Sequence, residues 1–203
     1  MFSIRLLTAI LLACFLVDVH ASGTKRVDPR RTGTTAVGLE YADFEEAAQN
    51  AVNSLLASGA LDHPNGDRYV LMISRVVNDT MQRIDTDQLV KKIRIELLRS
   101  GKVVVTTAVG GAGPEDSASV DVRRDLRGNE EFDQSRVQRR GTLVAPDYSL
   151  SGKILQRNLT LDRGKQQIEY YFQLTLTDLE TGLAIWEDEY PIIKQTSARR
   201  AAW

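Results

Sequence analysis

Tyr69-Val70-Leu71-Met72-Ile73-Ser74-Arg75-Val76-Val77 opens with a near-continuous apolar run, Tyr69 to Ile73, and three successive valines, Val103 to Val105, follow it after an amphipathic stretch. A run of this kind reads as a central strand buried on both faces of a sheet. Asn78-Asp79-Thr80 breaks the first strand, and Asp85 or Thr86 then caps a helix that turns Leu89, Val90, Ile93 and Leu97 inward. Ser100-Gly101 ends that helix and Lys102 to Thr107 forms the next strand. The result is a βαβ-like unit.

Working outward, Phe44, Ala47, Ala48, Ala51, Val52, Leu55 and Leu56 recur at the spacing of one helical face. Asp43 is placed to cap this helix, Glu46 to complete a capping box, and Gly59 to stop it. On the far side, Ile168, Tyr170, Phe172, Leu174 and Leu176 alternate with Glu169, Tyr171, Gln173, Thr175 and Thr177, the period of a strand with one face on a core. Asp178 to Gly182 makes a turn, and Leu183 to Tyr190 returns antiparallel. Tyr148 to Gln156 is the preceding strand, joined through Asn158 to Lys165. The pattern predicts a single α/β domain: a mixed sheet of four or five strands with helices packed mainly on one face.

Between these blocks, Gly110-Gly111-Ala112-Gly113-Pro114 leads into a charged surface helix from about Ser117 to Arg127. Residues from Gly128 to Gly141 mix Glu130, Glu131 and Asp133 with Arg136, Arg139 and Arg140, and read as a solvated loop or short helix.

The amino-terminal end carries the one cysteine. Ile4 to Val17 is apolar apart from Arg5, and Cys14 lies inside it. A stretch of about 14 residues is too short for a helix across a hydrocarbon core of about 30 Å, so residues 1–21 read as an export leader. Two processing routes remain open: cleavage before Cys14 with acylation of its sulfur, or cleavage after Val19-His20-Ala21, which discards it. The first makes a lipoprotein, the second a soluble periplasmic protein. Residues 22–39 form a flexible tether, 40–193 the folded domain and 194–203 a carboxy-terminal tail ending in Trp203. From Cys14 to the first helix about 26 residues span roughly 28 Å on average and about 90 Å when taut.

Composition excludes several kinds of chemistry. A net charge of −1 and a pI near 6.2 supply no surplus of Lys and Arg for neutralising a nucleic-acid backbone. With a single cysteine the chain forms no internal disulfide, so packing alone must hold it. Its histidines are His20 in the leader and His63 in the turn-like Asp62-His63-Pro64-Asn65-Gly66, which leaves no Cys/His set for a metal and no nucleophile and base pair. Gly110 to Gly113 lacks the Gly-Lys-Ser/Thr of a phosphate loop. Glu187 and Glu189 share one strand face while Asp188 takes the other, the pattern of a charged sheet surface rather than paired catalytic carboxylates. Trp186 reads as core. No cofactor, metal or small-molecule substrate is indicated.

Three stretches together carry a resemblance. Ile73 to Thr80 with Leu98-Arg99-Ser100-Gly101-Lys102-Val103-Val104-Val105 after its helix, Ala145-Pro146-Asp147-Tyr148-Ser149-Leu150-Ser151-Gly152, and Tyr171 to Trp186 with Thr181-Gly182 before the tryptophan, resemble in order the penicillin-binding protein activator LpoB family. The resemblance implies a domain similar to the amino-terminal domain of TolB, with no active site. It further implies acylation at Cys14, an anchor on the periplasmic face of the outer membrane, and a partner that is a bifunctional penicillin-binding protein, a peptidoglycan synthase. The loop containing Asn78, Asp79, Thr80 and Arg83 is the candidate contact. A structural or secretion-associated lipoprotein of the curli-assembly type is the alternative, and a ring-shaped oligomer distinguishes it.

Overall fold

The computed structural model describes residues 38–111, 113–161 and 165–197. Cys14, the leader, most of the tether and Trp203 lie outside the described residues. The elements are α1 (Tyr41–Ala57), β1 (Tyr69–Asp79), α2 (Thr86–Arg99), β2 (Val103–Val105), α3 (Ser117–Asp125), β3 (Tyr148–Leu161), β4 (Lys165–Asp178) and β5 (Ala184–Ser197). The strands form one five-stranded sheet in the order β2-β1-β3-β4-β5. β1 runs parallel to both β2 and β3, and the remaining neighbours are antiparallel. The mixed α/β sheet expected from the periodicity is therefore present.

α1 and α2 pack on each other and against the same sheet, α1 on β5 and α2 on β1 and β2. Phe44, Ala47, Ala48, Val52 and Leu55 from α1 meet Leu89, Ile93 and Leu97 from α2 over Leu71, Leu150, Ile154, Ile168, Tyr170, Phe172 and Leu176. The α1, α2 and β4 residues in this set are predicted inward positions, and Leu150 and Ile154 of β3 are additions from the structure. Trp186 joins the same cluster with 9% of its surface exposed, and burial of this many large apolar side chains is the main term favouring the fold.

Several boundaries differ from those read in the sequence. Glu40, not Asp43, is the N-cap of α1, and Asp43 lies one turn in, where its Oδ2 accepts the Glu40 N–H at 2.6 Å. The same oxygen receives Lys194 Nζ from β5 at 2.6 Å. A partner from the far end of the chain thus holds the first turn, which local spacing cannot show. Glu46 instead accepts the Tyr190 hydroxyl at 2.5 Å.

β1 is not buried on both faces. Leu71, Ile73 and Val76 point inward, with a bulge between Ile73 and Val76, whereas Val77 is 45% exposed on the other face. The core helices α1 and α2 lie on one side of the sheet, so the apolar run is half-covered. β3 and β4 stay paired out to Leu161 and Lys165, so the segment expected as their connection is strand at both ends. β5 continues to Ser197, which takes residues 194–197 into the sheet.

The uncovered face carries a polar ladder. Gln195 donates to Gln167, Gln167 and the Tyr171 hydroxyl donate to Glu169, Gln173 donates to Glu189 and Thr175 to Glu187. Glu187 and Glu189 do share a face, and each is tied to β4 across the strand pair.

Candidate functional site

The residues most suggestive of catalysis are used locally. His63 Nδ1 accepts the Asn65 N–H at 3.2 Å and its ring packs 4.7 Å from that of Tyr69, so it closes a turn. Gly110 and Gly111 lie directly against β1: a Cβ on Gly111 would collide with the backbone at Ser74 and Arg75, and one on Gly110 would come within 2.9 Å of the Gly113 carbonyl. These glycines serve a close approach of backbone to backbone. Among the described residues no group of three His, Cys, Asp or Glu side chains is placed to hold a metal ion. No helix among them is long and apolar enough to cross a membrane.

The loop between β1 and α2 is built by its own side chains. Asn78 Oδ1 accepts both the N–H and the hydroxyl of Thr80, at 3.2 and 2.7 Å, while Asn78 Nδ2 donates to the Gln82 carbonyl at 2.8 Å. Short polar side chains that bond backbone two to four residues away favour such turns. Asp79 leaves the loop and pairs with Lys153 on β3 at 2.6 Å. Of the four contact candidates, Asn78 and Thr80 therefore shape the loop, Asp79 ties it to the sheet, and Arg83 is exposed. Met81 is 69% exposed, and its N–H donates to Gln156 Oε1 on β3 at 3.1 Å.

Gln82 is the residue positioning this loop that sequence reasoning passed over. Its Nε2 donates to the hydroxyl of the fully buried Tyr170 at 2.8 Å, and its Oε1 accepts the Leu39 N–H at 3.3 Å. One side chain thus bolts the loop to β4 and to the segment entering α1. Burial beneath it pushes the Tyr170 phenol up to about 12, with the nearby Asp43 carboxylate adding to the shift. Nothing in the local sequence marks Gln82, because both partners are distant.

Beside this loop a cleft of about 890 Å³ opens between β1, α2 and the glycine segment. β2 covers β1 only as far as Leu71, which leaves the cleft along the rest of that edge. Arg94 lies in it with its side chain 11% exposed and pairs with Glu115, which Lys91 also approaches at 3.6 Å. Burial lowers the Arg94 pKa from its ordinary value, and its Nε has no partner among the described residues. Of the two carboxylates that line the cleft, Asp87 and Glu115, Glu115 is paired with bases.

A family model described as peptidoglycan-synthase activator LpoB matches residues 43–192, from α1 into β5. No curated protein sequence matches the chain. Among solved structures, the LpoB C-terminal domain from Escherichia coli is 17% identical, with 74% of this chain and 98% of that one covered and a TM-score of 0.42. The NMR structure of E. coli LpoB is 16% identical, covering 96% and 94% with a TM-score of 0.42. The lipoprotein GNA1162 from Neisseria meningitidis is 10% identical, covering 63% and 84% with a TM-score of 0.35.

Proposed function

Because this chain belongs to the peptidoglycan-synthase activator LpoB family, we propose that it is a non-catalytic lipoprotein that binds and regulates a bifunctional penicillin-binding protein. Membership gives a regulatory role in the cell envelope. The observation that carries the finer reading is the extent of the family match, which takes in α1 from its third residue, all of α2 and four of the five strands completely. The histidine-poor composition and the local use of the acidic and glycine clusters support a binding role. In this reading Cys14 is acylated, the domain stands on the periplasmic face of the outer membrane, and the domain binds the active conformation of the synthase more tightly than the inactive one. Only such differential affinity shifts the equilibrium.

The β1–α2 loop is one contact. Asn78, Asp79 and Thr80 present it, and Arg83 with Met81 reaches the partner. The test is capture from a cross-linked envelope followed by identification of bound proteins. Recovery of a bifunctional penicillin-binding protein is the expected result, and recovery of no cell-wall enzyme overturns the proposal. Arg83→Glu should weaken capture about three- to tenfold with the melting temperature unchanged, as expected for an exposed charge at an interface. Asn78→Ala should lower the melting temperature, since removing its turn bonds costs about 1–2 kcal/mol.

A further inference from the structure

The segment between β2 and β3 makes an ordered surface with no part in the core. α3 has no buried residue, yet the chain after it is tightly tied. Gln134 accepts the Gly128 N–H at 3.1 Å and donates to the carbonyls of Leu126, Asn129 and Phe132 at 3.0, 2.7 and 3.1 Å. A loop so organised by its own side chains and contributing little to core packing is where binding residues concentrate.

What this segment holds open is an apolar cleft of about 460 Å³, lined by Val122, Leu126, Phe132 and Val137. Val122 and Phe132 remain 50% and 48% exposed. Arg123 and Arg136 stand at its margin with Asp133 as the one acid. The Asp133 Oδ1 accepts both the N–H and the hydroxyl of Ser135, at 3.0 and 2.7 Å. Arg123 donates to the Thr142 hydroxyl at 2.6 Å, and that hydroxyl donates to the Arg139 backbone carbonyl at 3.0 Å, which fixes the Arg123 side chain. Among the described residues no carboxylate pairs with Arg123 or Arg136, whereas Arg124 on the same helix is paired with Asp121.

We propose that this cleft is a second docking site for the synthase, taking a segment that inserts an apolar side chain and carries carboxylates beside it. The occupant follows from charge: unpaired guanidinium groups around a half-exposed aromatic ring complement an acidic, not a basic, apolar segment. Arginine and aromatic residues are also the side chains on which interface energy concentrates. The proposal rests on the synthase-binding function stated above, and it adds a surface remote in sequence from the β1–α2 loop.

The test is the affinity of the purified mature chain for a purified bifunctional penicillin-binding protein from the same cells. Phe132→Asp and Arg136→Glu are compared with the unmodified chain, and thermal melts monitor folding. Each variant should bind about tenfold more weakly with an unchanged melt, because neither side chain is in the core. Raising the salt concentration should weaken the unmodified chain more than Arg136→Glu. Arg136 makes no described side-chain hydrogen bond, so its variant remains informative if Phe132→Asp alters the loop. Binding of both variants within twofold of the unmodified chain overturns the docking site and leaves the function standing. Absence of any binding by the unmodified chain overturns both.

Discussion

Glu169 shows how one side chain is set by its surroundings. It sits on the uncovered face of β4 with 7% exposure, and both carboxylate oxygens are occupied, Oε1 by Gln167 at 2.7 Å and Oε2 by the Tyr171 hydroxyl at 2.6 Å. These bonds favour the charged form and hold its pKa below the usual carboxylate range, the Tyr171 bond most and the Gln167 bond next. A folded-state pKa below the unfolded one means that the stabilisation is complete above the unfolded value, about 4.3, and disappears as pH falls through the folded value. Glu169→Gln should therefore melt below the unmodified protein at pH 7, with the gap closing below about pH 4 as the native carboxylate takes up its proton. Melting curves of both proteins between pH 7 and 3 check this, and a pH-independent gap contradicts it. The alternation along β4 sufficed to put Glu169 on the polar face, but its partners came only from the folded strand. Gln82 lies further from view. Its ties to Tyr170 and Leu39 join residues 88 and 43 positions away.

At the scale of elements, periodicity identified the core helices and the long strands, because an apolar repeat of 3.6 or 2 is a local property. Their ends were less legible. α1 starts at a cap completed by Lys194, and β3, β4 and β5 run beyond their apolar stretches because each extra residue pairs with a neighbour across the ladder. β1 was read as covered on both faces from its composition, but coverage depends on where the helices go. The glycine segment has a mechanical role that composition does not express: Gly111 lets the chain leaving β2 cross against the backbone of β1 at Ser74 and Arg75. Gly111→Ala should cost about 1–3 kcal/mol, since a Cβ there meets backbone that cannot swing aside as a side chain does. Urea denaturation measures the loss. A cost below about 0.5 kcal/mol would show that the segment can move off the strand.

At the scale of the whole molecule, a helix-covered sheet face holds the protein together while the loops and the opposite face remain available. The β1–α2 loop and the segment around α3 occur in the connections, where substitution changes contacts without emptying the core. The anchor is tested by the intact mass of the mature protein extracted from membranes. A mass corresponding to a lipid-modified chain beginning at Cys14 is expected, and a chain beginning at Ser22 would replace the anchored form by a soluble one. If the anchor is present, the tether's average span of about 28 Å favours a synthase region held close to the membrane, since stretching a flexible chain toward its limit costs entropy.

By itself the sequence determined the α/β class, the inward faces of α1, α2 and β4, the placement of Trp186 in the core and the resemblance to a family of synthase activators. Each of these depends on residue types at short, regular spacing or on motifs in order. Only the tertiary structure decided that β1 is covered on one face, that Lys194 and Glu40 define the start of α1, that Gln82 locks the β1–α2 loop, and that Arg123 and Arg136 border one cleft with Phe132. Those facts arise from groups brought together across long separations in the chain, and a contact of that kind exists only once the intervening chain has folded.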